Sequence, residues 1–196
     1  MEKNILSLLT KEERTLLQVK SFKKNEIIFK EGEHCDNIAI ISDGHVQIVS
    51  YSFSGKEVVF NSLSKNQIFG NNLIFSSDPT YKGNVVSLDK TTIVFIKKEN
   101  LITLLSSNKE FLQEYLKIQS DFGKHLNSQI KLFSIDSAKE RFEYYLFSHS
   151  GEIEFRTISS LANELNLKRE TLSRLISKLE KENVVKRSLH HISKIN

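Results

Sequence analysis

The chain has 196 residues, 39% of them apolar, with 28 basic against 24 acidic side chains and a formal net charge of +4. That is enough apolar material for one large packed core or two small ones, and no uncharged apolar run approaches the roughly 20 residues a membrane-spanning helix needs. A lone cysteine, Cys35, excludes an internal disulfide and a thiolate-only metal site, while the small positive excess is compatible with nucleic acid without deciding for it.

In chain order, the opening MEKNILSLLTKEERTLL carries charges throughout, unlike the apolar core of a signal peptide, so a cytoplasmic location with no membrane contact is expected. From Phe22 to about Ile96 short β-branched and aromatic runs are broken by turn signals at Glu31-Gly32, Asp43-Gly44, Ser54-Gly55 and Phe69-Gly70, which predicts a compact all-β unit. Ile38 to Ser42 and Val46 to Tyr51 alternate as half-buried strands do. Pro79, the only proline, sits in a polar segment from Ser76 to Thr80 and predicts a loop.

From about Lys98 the spacing becomes helical. Phe111, Tyr115, Ile118, Phe122 and Leu126, followed by Ile130 and Phe133, form an apolar stripe on a helix of roughly 25 residues. So long a helix overhangs a compact domain, which makes these residues the expected seam of a homodimer, with packing onto the β unit alone as the alternative. Asp136 is suited to cap a further helix running to about Phe147. The expected division is therefore 1–107 for the β unit with flanking helices, 108–135 for the long helix and 136–196 for the remainder.

In that remainder Thr157 can cap a helix whose apolar face is Ile158, Leu161, Ala162 and Leu165, and Asn166 tolerates the left-handed turn that ends it. A second helix starts near Lys168 or Arg169, with Leu172, Leu175, Ile176 and Leu179 inward. The pattern is helix-turn-helix. Arg169, Glu170, Ser173 and Arg174 then lie at the start and on the outer side of the second helix, where base edges would be met; arginine pairs in a fork with guanine and glutamate accepts from the cytosine amino group. Lys168, Lys178, Lys181 and Arg187 suit phosphates. Val184 to Ile195 fits two short strands and a turn, a wing.

The order of β-roll, long helix and winged helix-turn-helix resembles the Crp/Fnr family of bacterial transcription regulators over nearly the whole chain. The stretch KRETLSRLISKLEKENVV is similar to that family's recognition helix, with Arg169, Glu170 and Arg174 matching its base-contact positions, and FKKNEIIFKEGEHCDNIAIISDGHVQIV and NQIFGNNLIF resemble its roll, with Gly32, Gly44 and Gly70 at the family's turns. The resemblance implies an α+β fold with a jelly-roll-like antiparallel β-roll, and a homodimer on inverted-repeat double-stranded DNA with half-sites akin to TGTGA. RNA polymerase would be a further partner. In cyclic-nucleotide-binding members a glutamate in the turn after the Phe-Gly pair meets the ribose, and an arginine about ten residues on meets the phosphate through charge-assisted bonds. Here those positions hold Asn71 and Tyr81, beside Lys82. The candidate effector pocket is thus Gly70, Asn71, Tyr81 and Lys82, and the effector is expected to be something other than a cyclic nucleotide, or absent. One alternative keeps a cyclic nucleotide with Lys82 as a point charge for the phosphate. The other, of a different class, is a cupin-like small-molecule-binding or catalytic roll whose helical tail mediates protein contacts.

The oxygen-sensing branch's N-terminal cysteine cluster is missing. His34, Cys35 and His45 lie close in sequence but on separate turns, so they are expected at the surface and not as a metal set, and His190 and His191 are expected to face solvent or phosphate. Tyr115 and Phe122 are candidates for the lining of an effector cavity at the roll's mouth, or for core. No phosphate loop, nucleophile elbow or His-Glu-x-x-His motif occurs. Neither enzyme activity nor a cofactor or metal is expected.

Overall fold

Residues that accept positive φ punctuate the first half of the chain and fix where its strands begin and end. In the computed structural model, which describes residues 4–52, 55 and 57–195, two 3-10 turns at Ile5–Leu8 and Glu13–Leu16 lead into the strands. These are β1 (Leu17–Phe22), β2 (Ile27–Phe29), β3 (Asn37–Asp43), β4 (His45–Tyr51), β5 (Glu57–Ser64), β6 (Ile68–Phe69), β7 (Asn84–Ser87) and β8 (Thr91–Lys97). They pair antiparallel into two four-stranded sheets ordered β1-β8-β3-β6 and β2-β7-β4-β5. The Asp43-Gly44 turn joins β3 to β4 across the sheets, with Gly44 at φ 91 and so close to β8 that a Cβ would stand 2.6 Å from Thr91 Oγ1. Of the expected Ser54-Gly55 turn, Ser54 lies outside the described residues; Gly55 has φ 75.

The expected alternation in β3 is not observed. Ile38, Ala39, Ile40 and Ile41 are all at most 1% exposed, because α1 (Lys98–Ser107) packs over β3 and β8 and buries Leu101 and Leu104 there. A strand covered on both faces reads as a continuous apolar run. In β4 the register shifts between Ile48 and Val49, which interrupts the alternation there.

The second half is helical. It comprises α2 (Lys109–Phe133), α3 (Ala138–Ser148), β9 (Glu152–Glu154), α4 (Ile158–Glu164), α5 (Arg169–Lys181), β10 (Val185–Arg187) and β11 (His191–Lys194). The cap of α3 is Ser137, whose hydroxyl accepts from Glu140 N, and not Asp136. The wing has a third strand beyond the two expected: β9 pairs with β11, giving a sheet ordered β10-β11-β9.

The chain divides into two compact units, Met1–Ser120 and Asp121–Asn196. The cut falls inside α2, whereas the expected division ends the first part at 107 and sets the long helix apart. The first unit's core joins both sheets to Ile5, Leu9, Leu101, Leu104, Phe111 and Tyr115. The second has its own core, built from Leu132, Phe142, Leu146, Ile153, Phe155 and the inward faces of α4 and α5, closed by Val185 and Ile192. The architecture is the expected α+β one, an antiparallel β-roll, a long helix and a winged helix-turn-helix.

Candidate nucleic-acid interface and effector region

Thr157 opens α4 as anticipated. Its hydroxyl accepts from Ser160 N at 3.0 Å while Ser160 Oγ accepts from Thr157 N at 3.0 Å, a reciprocal cap that satisfies two otherwise orphaned donors. At the other end Asn166 takes φ 48, and Leu167 N donates back to Ala162 O at 2.8 Å, the closure an αL residue permits after a helix. The chain therefore turns within Asn166 and Leu167 and starts α5 at Arg169. Leu172, Ile176 and Leu179 on α5 are at most 1% exposed, each worth about 1.5–3 kcal/mol relative to exposure, and Leu175 packs beside them. That burial fixes which face of α5 looks outward.

The outward face carries the residues expected there. Lys168, Arg169, Glu170, Arg174, Lys178 and Lys181 are exposed, and Ser173 and Arg187 are half-buried. Among the described residues Lys168, Arg169, Arg174, Lys181 and Arg187 form no ion pair; Lys178 lies 3.8 Å from Glu182, with both side chains in solvent, where such a contact is weak. Glu170 stands in the first turn of α5, a position where the helix dipole favours a carboxylate. A shallow cleft of ≈ 330 Å³ runs along this face between Ser173, Arg174, Ser177, Lys178 and Lys181. A second, open cleft of ≈ 590 Å³ lies between the end of β9 and the wing, lined by Glu154, Phe155, Arg156, Ser188, Leu189, His190 and His191. Arg156, exposed just before the cap of α4, belongs to this surface and is absent from the sequence-based set; the short Glu154-to-Thr157 link gives no periodicity from which to place it.

In the roll, the four candidate effector residues do not form one polar pocket. Gly70, at φ 79, brings the chain so near that a Cβ would meet Asn37 O at 2.8 Å and Cys35 Sγ at 3.2 Å. Tyr81 is buried, its ring stacked on Phe29 with centroids 4.4 Å apart and its hydroxyl 3.5 Å from Cys35 Sγ. Burial, then the Cys35 contact, holds the Tyr81 phenol far above its ordinary pKa. Asn71 is buried too, with its Nδ2 donating to Gln119 Oε1 at 2.6 Å and its carbonyl accepting from Gln119 Nε2 at 2.8 Å. Lys82 alone faces solvent, where its ammonium donates to Asp78 and, at 2.9 Å, to Thr80 Oγ1. The bond from Lys82, and after it the one Asp78 accepts from Thr80 Oγ1 at 2.8 Å, hold the Asp78 carboxyl below its usual range.

Cys35 is fully buried and not at the surface, and burial raises its thiol pKa. His34 instead pairs with Asp36 at 2.8 Å and His45 with Asp89 at 2.6 Å, so the three do not converge.

Of the five expected seam residues, Phe111 and Tyr115 are core residues of the first unit and Ile118 packs against that core. Phe111 and Tyr115 are enclosed within the unit, and Ile118 is half-buried. Tyr115 Oη instead reaches Gln119 Nε2 at 3.1 Å. Phe122 is half-buried and Leu126 is 46% exposed. The outward apolar residues of α2 are Leu116, Leu126, Ile130 and Phe133.

Residues 19–108 match the cyclic nucleotide-binding domain family. Across most of its length the chain is similar to the anaerobic regulatory protein of Bacillus subtilis, 23% identical over 85% of this chain and 74% of that one. In fold it is similar to a CooA variant from Carboxydothermus hydrogenoformans, with a TM-score of 0.76 and 16% identity over 100% of this chain and 93% of that one. It is also similar to the catabolite activator protein of Thermus thermophilus, with a TM-score of 0.58 and 18% identity over 98% and 94%.

Proposed function

We propose that this chain, which belongs to the Crp/Fnr family of transcription regulators, binds double-stranded DNA as a homodimer and reads an inverted-repeat operator with α5. The observation that carries the reading is the basic outer face of α5, backed by a fully packed apolar face and preceded by the Asn166 turn. A helix anchored on one side presents its outer side chains to a major groove in a fixed register.

Arg169 and Arg174 are assigned forked contacts to guanine, Glu170 a cytosine amino group, and Ser173 an adaptable base contact. Lys168, Lys178, Lys181 and Arg187 take phosphates, and Arg156 joins them from the loop before α4. The dimer seam we assign to α2 runs along Leu112, Leu116, Gly123, Leu126, Ile130 and Phe133. These recur in alternating steps of about three and four residues once Gln119 is counted, the spacing of a coiled-coil seam. The roll answers to a ligand other than a cyclic nucleotide, or to none, since Tyr81 is packed into the core and Lys82 is engaged outside it.

The test is a mobility shift with genomic fragments and excess non-specific competitor. A small subset of fragments should stay bound as salt is raised. Uniform retention of all fragments, abolished together by salt, would leave only backbone attraction and contradict sequence reading.

A further inference from the structure

Arg141 is the one charged side chain in the cores of the described residues, 8% exposed, and among those residues it has no carboxylate partner. Burying a guanidinium is costly unless every donor it turns inward is met. Here backbone carbonyls meet them. Nε donates to Ile135 O at 2.9 Å, Nη2 donates to the same oxygen, and Nη1 donates to Leu165 O at 3.1 Å and to Asn166 O at 2.9 Å.

The two ends of this fork have distinct meanings. Leu165 is the C-cap of α4 and Asn166 is the αL residue that aims the chain into α5. Carbonyls at a helix C-terminus carry its partial negative charge, which a cation meets favourably. Ile135 belongs to the segment after α2 and is tied to it, since Ile135 N donates to Leu132 O at 3.3 Å and Ser134 N to Ile130 O at 3.0 Å.

We propose that Arg141 is a positioning residue for DNA reading: its guanidinium pins the turn before α5 to the segment that ends α2, and thereby sets the attitude at which Arg169 and Arg174 are presented. The inference rests on the reading of α5 as the DNA-contacting helix. While the fork is made, the end of α2 and the helix-turn-helix turn move together. Lysine cannot replace it, because one ammonium cannot span carbonyls on two separate turns with the rigid geometry of a guanidinium.

The experiment begins by enriching, from a random-sequence duplex pool, the sequences that the wild-type full chain retains. Wild type, Arg141→Lys and Arg141→Met are then titrated on an enriched duplex and on its scrambled counterpart. Both variants should stay folded by circular dichroism and lose about tenfold or more on the enriched duplex, with less than about threefold change on the scrambled one, since phosphate contacts persist. In wild type the Arg141 Nε–H should exchange with solvent much more slowly than that of Arg169, read by nitrogen-edited NMR. Unchanged affinity in a folded variant, equal loss on both duplexes, variants that do not fold, or fast exchange at Arg141 would each overturn the positioning role. A wild-type chain that enriches no sequence would remove the DNA reading itself, an outcome visible before any variant is made.

Discussion

Tyr81 and Lys82 are adjacent in sequence and opposite in environment. The phenol is stacked on Phe29 and set against the Cys35 thiol, while the ammonium lies in solvent with Asp78 and Thr80. To bind a cyclic phosphate in the roll, Lys82 would have to leave Asp78 and give up its hydration, and Tyr81 would have to vacate packed apolar space. A single ammonium returns less than an arginine fork for that rearrangement. Because Asp78 is held below the usual carboxylate range, its charge and its hold on Lys82 persist through the neutral pH range and disappear only as pH falls through that lowered value. Isothermal titration with cyclic AMP and cyclic GMP at micromolar concentration should therefore give no binding heat. A saturating isotherm in that range would return the phosphate to Lys82.

At the scale of elements, α2 carries two apolar stripes, and they serve different surfaces. Phe111, Tyr115 and Ile118 close the first unit's core, whereas Leu126, Ile130 and Phe133 look outward, Ile130 at 67% exposure. Ile130→Glu places a charge on the outward stripe only. If that stripe is the dimer seam, light scattering should show monomers of a folded protein, because an unpaired carboxylate in an apolar interface costs several kcal/mol; a dimer that persists would remove this stretch of α2 from the interface. The two stripes lie side by side on the helical wheel, which is why periodicity identifies the helix but cannot say which stripe meets the chain's own roll. Helix ends with single-residue signals are legible: Thr157 caps α4, Asn166 takes the left-handed turn, and Leu172, Ile176 and Leu179 point inward. β9 alternates only over three residues, with Ile153 buried between exposed Glu152 and Glu154, too short a run to signal a strand, and its pairing with β11 is a long-range fact. Asp136 and Ser137 are both good cap types, and only backbone geometry chooses Ser137. Arg141 reads as an ordinary surface charge on α3 until the carbonyls of Ile135, Leu165 and Asn166 are seen around it. For the candidate face of α5 the residue types are legible because exposure on that helix follows from its buried side, whereas Arg156 lies on a loop.

For the molecule as a whole, the proposed active state has two copies acting together, each presenting one α5 to successive major grooves roughly 34 Å apart on one side of the duplex, so that the site is an inverted repeat. In that proposed state non-specific attraction would come from the charges spread along α5 and the wing, and discrimination from the few side chains assigned to base edges. These contributions separate by mutation. Lys178 is exposed and only loosely tied to Glu182, so Lys178→Ala should weaken all duplexes about equally and lower the salt slope by about 0.9, the increment for one phosphate no longer neutralised. The most direct measurement is a titration of wild type, Arg169→Ala and Arg174→Ala on an enriched inverted-repeat duplex and on its scrambled form, at two salt concentrations. Each arginine variant should lose on the order of 1–3 kcal/mol on the inverted repeat while its binding to the scrambled duplex changes much less. Equal losses on both duplexes for both variants would mean that these side chains touch only the backbone, and would contradict base reading by α5.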